Sequence, residues 1–321
     1  MSYASIEITE VGEPEFPLIQ VLRDTIFGAY GHRHSSPFAE QAEGKPDLIA
    51  LIAHLEGNPV GYKVGYRENP GLFYSWTGGV LPDYRTFGVA RRMQDYQHGL
   101  LRGRGYRAVA FSTFNKFREM LLFGLSTGFV PVGVDLKPEN EIAIKFRKDL
   151  TRPDPERPAP STPASDLHVE SVSPIFHGQI AALCTAAGDP ATEEQVDAEM
   201  AHPGSLALLA YISGKPVGFA VARPGLPELP LSGATPYAIR LLGVDSANPL
   251  RGVGSALMAR LIETARQARC ASVRVGVRHD RVPALRMLIK SGFDVLGVMH
   301  HDSPRGPTVV HLELPIGSAR Q

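Results

Sequence analysis

The chain has 321 residues, enough at roughly 150 per domain for two domains with cores of their own. Its 43% hydrophobic and 21% charged residues are those of a globular protein and exclude a collagen-like, coiled-coil or disordered chain. Thirty-three Lys plus Arg balance thirty-three Asp plus Glu, with seventeen of each in residues 1–150, so neither half is a polycation, and nucleic acid or an anionic membrane surface is a poor partner.

The N-terminus, MSYASIEITEVGEPEF, has neither a basic leader nor an apolar stretch, and no later run approaches the ~18 apolar residues of a membrane span, which predicts a soluble cytoplasmic protein. LIALIAHLE from Leu48, a turn at Gly57-Asn58-Pro59 and VGYKVGYRE predict a β-hairpin, and LFYSWTGGVLP from Leu72 a third strand. After Gly88 the period changes. Val89, Met93, Tyr96 and Leu100 fall at i, i+4, i+7 and i+11, one face of a helix that Gly103 and Gly105 end. YRAVAFSTF predicts a strand, FREMLLFGLS a short helix stopped by Gly128, and FVPVGVDL and EIAIKFRKDL a closing strand pair. Residues 151–165 carry five prolines and predict a linker, ~45 Å long if drawn out as polyproline II at ~3.1 Å per residue. Beyond it the same order returns: LALLAYIS, PVGFAVARP, YAIRLLGV, a helix with Val253, Leu257 and Leu261 on one face, ASVRVGV, PALRMLIKS, FDVLGVMHH and TVVHLEL.

The order returns because the chain is duplicated. A shift of 164 residues brings Gly79-Val80 onto Gly243-Val244, Gly88-Val89 onto Gly252-Val253, Gly128-Phe129 onto Gly292-Phe293 and Gly133-Val134 onto Gly297-Val298. Asn58-Pro59-Val60-Gly61 matches Lys215-Pro216-Val217-Gly218 at an offset of 157, so the second copy holds seven extra residues between, assigned to the loop Pro224–Pro236.

Chemistry is expected where the third strand meets the helix, at VLPDYRTFGVA and VDSANPLRGVG. A strand entering a glycine turn and then a helix presents unpaired backbone N–H groups at the positive end of the helix dipole, which is an anion site. Strand, P-D-Y-R-x-x-G-x-A, amphipathic helix, strand, short helix and a Gly-Phe pair together resemble the GNAT superfamily of acyl-coenzyme A N-acyltransferases, whose pyrophosphate loop reads (Gln/Arg)-x-x-Gly-x-(Gly/Ala). Arg85, Gly88 and Ala90 match its three defined positions. In the second copy Pro249 stands where Arg85 does, with Gly252 and Gly254 retained and Arg251 two places on; a register slid onto Arg251 also fits the motif but breaks the common offset.

The resemblance implies two tandem α/β domains, 1–150 and 166–321 about the linker 151–165, each a mixed, mainly antiparallel twisted sheet flanked by helices. It implies acetyl-coenzyme A as cosubstrate and an amine as acceptor, in a monomer with an internal pseudo-dimer or in a homodimer. The implied cofactor residues are Gly79, Val80, Leu81, Arg85, Thr86, Phe87, Gly88, Val89, Ala90 and Asn115, with Gly243, Val244, Arg251, Gly252, Val253 and Gly254 in the second copy.

For catalysis the family commonly uses a tyrosine acid four residues before the Gly of the Gly-Phe pair and often a glutamate base on the cofactor strand. This chain has Gly124 and Leu288 at the first position and no carboxylate in Leu72–Leu81 or Tyr237–Val244. The remaining catalytic candidates are Tyr74, Tyr84 and His279, for each of which ordinary packing is the competing reading; Tyr237 and Asn115 are weighed with them. A non-catalytic acyl-coenzyme A sensor and a purely structural second copy stay open beside the transferase. Cys184 and Cys270 lie too far apart in sequence for a CxxC site, and His32-Arg33-His34 and His300-His301-Asp302 lack the i, i+4 spacing of a helical ligand pair, so no metal is expected.

Overall fold

The apolar runs of the sequence become strands of two seven-stranded sheets in a computed structural model, which describes residues 5–28, 36–138, 140–153, 166–225, 236–247, 252–300 and 307–316. The first repeat runs β1 (Ile6–Val11), α1 (Phe16–Gly28), α2 (Phe38–Ala42), β2 (Ile49–Leu55), β3 (Asn58–Asn69), β4 (Leu72–Val80), α3 (Val89–Gly103), β5 (Ala108–Phe114), α4 (Arg118–Ser126), β6 (Val130–Leu136) and β7 (Ile142–Asp149). The second runs β8 (His168–Val172), α5 (His177–Ala186), α6 (Glu193–Met200), β9 (Leu206–Ile212), β10 (Lys215–Pro224), β11 (Tyr237–Val244), α7 (Val253–Gln267), β12 (Ser272–Arg278), α8 (Val282–Lys290), β13 (Asp294–His300) and β14 (Thr308–Pro315). The sheet orders are β1-β2-β3-β4-β5-β7-β6 and, read from its other edge, β8-β9-β10-β11-β12-β14-β13. These are two mixed sheets flanked by helices, as expected. The first strand and two helices of each repeat are additions that the sequence pattern did not bring out.

Backbone bonds repeat at the sequence offset. Tyr106 N donates to Leu101 O and Cys270 N to Ala265 O, each at 3.0 Å, while Phe129 N donates to Gly124 O at 3.0 Å and Phe293 N to Leu288 O at 3.1 Å. The free thiol of Cys184 is buried, which pushes its pKa up to about 11.

The chain divides into two compact bodies: Met1–Ser112 with Lys145–Asp154, and Thr113–Ile144 with Pro155–Gln321. In the first, α1 and α2 cover a core of Ile19, Leu22, Ile26, Phe38, Ile52, Tyr62 and Val64, and α3 covers Ala53, Leu55, Val60 and Val80. In the second, Ile180, Leu183, Val196, Leu209, Phe219 and Val221 form the core under α5 and α6. This body also takes in α4 and β6 of the first repeat, which lie against α8 and β13, the elements 164 residues further on. Of the linker, residues 154–165 lie outside the described residues.

The α3 face differs from expectation. Val89 and Met93 are buried, but Tyr96 is 40% exposed and Leu100 half-buried, and the buried arc is completed by Gln94, Gln97, His98 and Leu101. At ~100° per residue this arc is centred about a quarter-turn from the apolar stripe. In α7 the six corresponding positions are Val253, Leu257, Met258, Leu261, Ile262 and Ala265, all buried and all apolar. Both helices bury the same positions; three polar residues disguise them in α3.

Candidate functional site

The site begins where β4 leaves its neighbour. β4 pairs with β3 from Leu72 to Val80, but with parallel β5 only at Leu72–Ala108, Phe73–Val109 and Tyr74–Ala110. A bulge shifts the β3–β4 register between Val64 and Gly65, with Trp76 the extra residue, and such an insertion bends and twists a strand. Beyond Tyr74 the edge of β4 toward β5 is therefore open for a ligand's amide groups. In the second repeat β11 pairs with β12 only at Tyr237–Val273, Ala238–Arg274 and Ile239–Val275, and the corresponding bulge makes Arg240 the extra residue.

From β4 the chain enters the turn to α3. Leu81 N donates to Val60 O at 2.9 Å, Pro82–Tyr84 form a short 3-10 turn, and Arg92 N makes the first helical bond, to Gly88 O at 3.0 Å. Helix geometry leaves the amides of Val89, Ala90 and Arg91 without an intrahelical acceptor at the positive end of the dipole. Gly88 has φ +82° and a Cβ there would meet nothing within 4 Å, so backbone conformation, not crowding, calls for glycine. Thr86, at φ +75°, holds a left-handed conformation without that freedom. Arg85 Nε donates to Val80 O at 3.3 Å, drawing the side chain toward the end of β4. Gly79 is crowded instead: a Cβ there would lie 2.8 Å from Ile26 Cγ2 of α1. Thus Gly79, Val80, Leu81, Arg85, Thr86, Phe87, Gly88, Val89 and Ala90 share one strand–turn–helix junction, with Phe87 60% exposed.

The second junction keeps this frame. Asp245 N donates to Val217 O at 2.9 Å, Ala256 N donates to Gly252 O at 2.8 Å, and Gly252 has φ +105°. A Cβ at Gly243 would lie 2.6 Å from the Phe219 ring, and one at Gly254 would lie 3.0 Å from Met287 Sδ. Val244 and Val253 flank the turn; Arg251 and Pro249 lie outside the described residues.

Two polar pairs on β3 and β4 were not picked out from sequence. Lys63 Nζ donates to Ser75 Oγ at 2.8 Å, one residue beyond the last β4–β5 pair, and burial pushes the lysine pKa down to about 8. Tyr62 Oη lies 2.8 Å from Thr77 Oγ1, and burial raises its phenol pKa. The same positions of the second repeat hold Ala220, Ile239, Phe219 and Leu241, so the polar pairs belong to the first repeat. That contrast, visible once the repeats are set at their two offsets, is the sequence signal that could have found them.

Among the catalytic candidates, Tyr74 is half-buried with its ring centroid 5.7 Å from that of Tyr66, and Tyr84 packs beside Val60, Val80, Val89 and Met93. Tyr237 is core: it is 3% exposed, its hydroxyl donates to Gly204 O at 3.2 Å, and burial pushes its pKa up to about 12. Asn115 Nδ2 donates to Val295 O at 2.9 Å and its Oδ1 accepts from Val295 N at 2.8 Å. His279 Nδ1 lies 3.3 Å from Pro131 O. These contacts are reciprocal, since 115 and 279, like 131 and 295, differ by 164. Gly124 and Leu288 are buried in α4 and α8. His300 contacts Val132 O and Thr308 Oγ1, each at 3.0 Å; His32, Arg33, His34, His301 and Asp302 lie outside the described residues, among which no cluster of metal-ligating side chains is present.

The family model described as acetyltransferase (GNAT) family matches residues 177–293. No curated protein matches. Among solved structures, the ribosomal-protein-S18-alanine N-acetyltransferase of Escherichia coli is 18% identical with a TM-score of 0.41, over 48% of this chain and 97% of that one. An aminoglycoside 6'-N-acetyltransferase complexed with coenzyme A is 16% identical, TM-score 0.39, over 48% and 99%. NAA60 of Arabidopsis thaliana in complex with acetyl-CoA is 15% identical, TM-score 0.42, over 47% and 99%. The GNAT-family pattern thus covers residues 177–293, within the second repeat, and the same order of elements and the same glycine turn stand ahead of it in the first.

Proposed function

We propose that the first repeat transfers an acetyl group from acetyl-coenzyme A to a primary amine of a small molecule or protein, and that the second repeat is the degenerate copy. The carrying observation is the asymmetry between matching frames: both keep the open strand edge and the left-handed glycine, but the first alone places Lys63 and Ser75 at the opening. The junction suits a pyrophosphate, since Arg85–Ala90 contain no carboxylate and end on the free amides of a helix start. Arg85 and the amides from Phe87 to Arg91 would hold the phosphates, and Gly79, Val80 and Leu81 the pantetheine arm.

Acetyl-coenzyme A supplies an activated thioester: as the amine attacks, the C–N bond forms, the C–S bond breaks, and the amine loses a proton. Lys63, neutral above about pH 8, is the proton acceptor in this reading, and Ser75 fixes its direction. No acid is required for the thiolate, because a thiol pKa of about 8.5 makes it a serviceable leaving group. A sensor without catalysis is the second reading, favoured for the second repeat by its apolar replacements. The reciprocal Asn115 and His279 contacts support a monomer with an internal pseudo-dimer. Among the described residues no helix is long and apolar enough to cross a membrane; a cytoplasmic setting is part of the proposal.

Calorimetric titration of acetyl-coenzyme A into the intact protein and its Gly88→Glu and Gly252→Glu variants tests the assignment. Binding abolished by Gly88→Glu alone is expected; unchanged affinity in a folded Gly88→Glu protein would refute it. Acetyl transfer to an amine separates enzyme from sensor.

A further inference from the structure

We propose that an aromatic recess on the α1–α2 side of β3 and β4 is the site that recognises the acceptor, that its ligand is an aliphatic ammonium cation, and that Lys45 is a built-in occupant which the ligand displaces. Lys45 follows α2, its backbone held by Lys45 N to Ala42 O at 3.2 Å and by the neighbouring Arg67 N to Pro46 O at 2.9 Å. Its Nζ lies 4.3 Å from the Tyr66 ring centroid and 4.5 Å from that of Trp76. Among the described residues it has no carboxylate at ion-pair distance. The two rings stand at 71°, so their negative faces meet a charge from two sides. Phe38 stacks on Trp76 with centroids 5.7 Å apart, and is itself fixed by Gln20, whose Oε1 accepts from Phe38 N at 2.6 Å, and by the buried Arg23.

The second repeat supports a charge-selecting role for this place. Its positions matching Tyr66 and Trp76 are Arg223 and Arg240, which donate to Glu199 at 2.7 and 3.1 Å. One frame thus holds a cation between rings and, in its copy, an anion between guanidiniums. In the first repeat, Trp76 follows Ser75 directly on the strand that leads to the glycine turn. The role of acceptor rests on the acetyl-transfer reading above.

Trp76 is the sole tryptophan of the chain, so its emission reports the recess without acetyl-coenzyme A or turnover. The full-length protein is titrated with n-butylammonium and with its neutral counterpart n-butanol. In Lys45→Met, n-butylammonium should give a saturable change at a concentration about tenfold below that needed by the wild type, and adding Tyr66→Leu should weaken it again about fivefold. Lys45→Arg, which refills the recess with a cation, should behave as the wild type and shows that the position tolerates replacement. Equal responses to n-butanol, equal midpoints in wild type and Lys45→Met, or no saturable response in Lys45→Met would each overturn the proposal. Because this titration contains no acetyl-coenzyme A and the Gly88→Glu titration contains no amine, either reading can fail while the other stands.

Discussion

Lys63→Met is expected to stabilise the protein at neutral pH and to lose that advantage in alkali. The native ammonium titrates near 8 against 10.5 for an unburied lysine. At about 1.36 kcal/mol per pH unit, the charged form lowers native stability by about 3 kcal/mol below pH 8. Methionine fills similar volume without charge, while the lost hydrogen bond to Ser75 Oγ costs about 1 kcal/mol, leaving a net gain of about 2 kcal/mol. Between the two pKa values native Lys63 is neutral and unfolded Lys63 still protonated. The unfolded state then binds more protons, so wild-type stability rises with pH and the variant's advantage falls away. Urea unfolding of both proteins from about pH 6 to pH 11, compared as a difference, isolates Lys63 from the tyrosines that titrate in the same range. A difference that stays flat across the window refutes the argument. Under the proposed mechanism the variant also loses acetyl transfer while binding acetyl-coenzyme A, and the wild-type rate rises with pH about a midpoint near 8.

Gly88→Ala meets no atom within 4 Å and should cost only the left-handed backbone, about 1 kcal/mol in urea unfolding; a much larger loss would mean that space, not φ, selects this glycine. Gly79→Ala should cost about 1–3 kcal/mol because its Cβ falls 2.8 Å from Ile26 Cγ2, and Ile26→Ala in the same chain should recover part of it; absence of recovery would refute the contact. Asn115→Ala forfeits both bonds to Val295, about 2 kcal/mol at about 1 kcal/mol each, with acetyl-coenzyme A affinity unchanged. A lowered affinity at unchanged stability would return Asn115 to the cofactor. Cleavage of the linker should leave the fragments together on size exclusion, because Thr113–Ile144 belongs to the second body; two separate folded halves would refute this.

What the sequence displayed and what it hid follow from range. Strands from β2 to β7 and from β9 to β14 show as alternating or apolar runs cut by glycines, and the duplication shows as constant offsets. α2 is too short for a period to register, and α5, HGQIAALCTA, is apolar on nearly every side. The glycine turn was legible because a left-handed residue at a helix start calls for glycine at Gly88. Lys63 with Ser75, and Lys45 with Tyr66 and Trp76, were not, since they depend on cross-strand register and on a bulge that moves it by one residue. For Asn115 the position could be read but not the partner, 180 residues away.

The sharing of α4 and β6 with the second body bears on how the chain is made. When residues 113–144 leave the ribosome, the α8 and β13 residues they pack against have not been synthesised. At about 5–20 residues per second, the intervening chain takes on the order of ten to thirty seconds to appear. Through that interval β6, the last strand of its sheet, presents an uncovered edge and invites pairing with other nascent chains. Completion of the second repeat, which supplies α8 and β13, ends the exposure, so the order of synthesis leaves the packing of residues 113–144 to the last part of the chain.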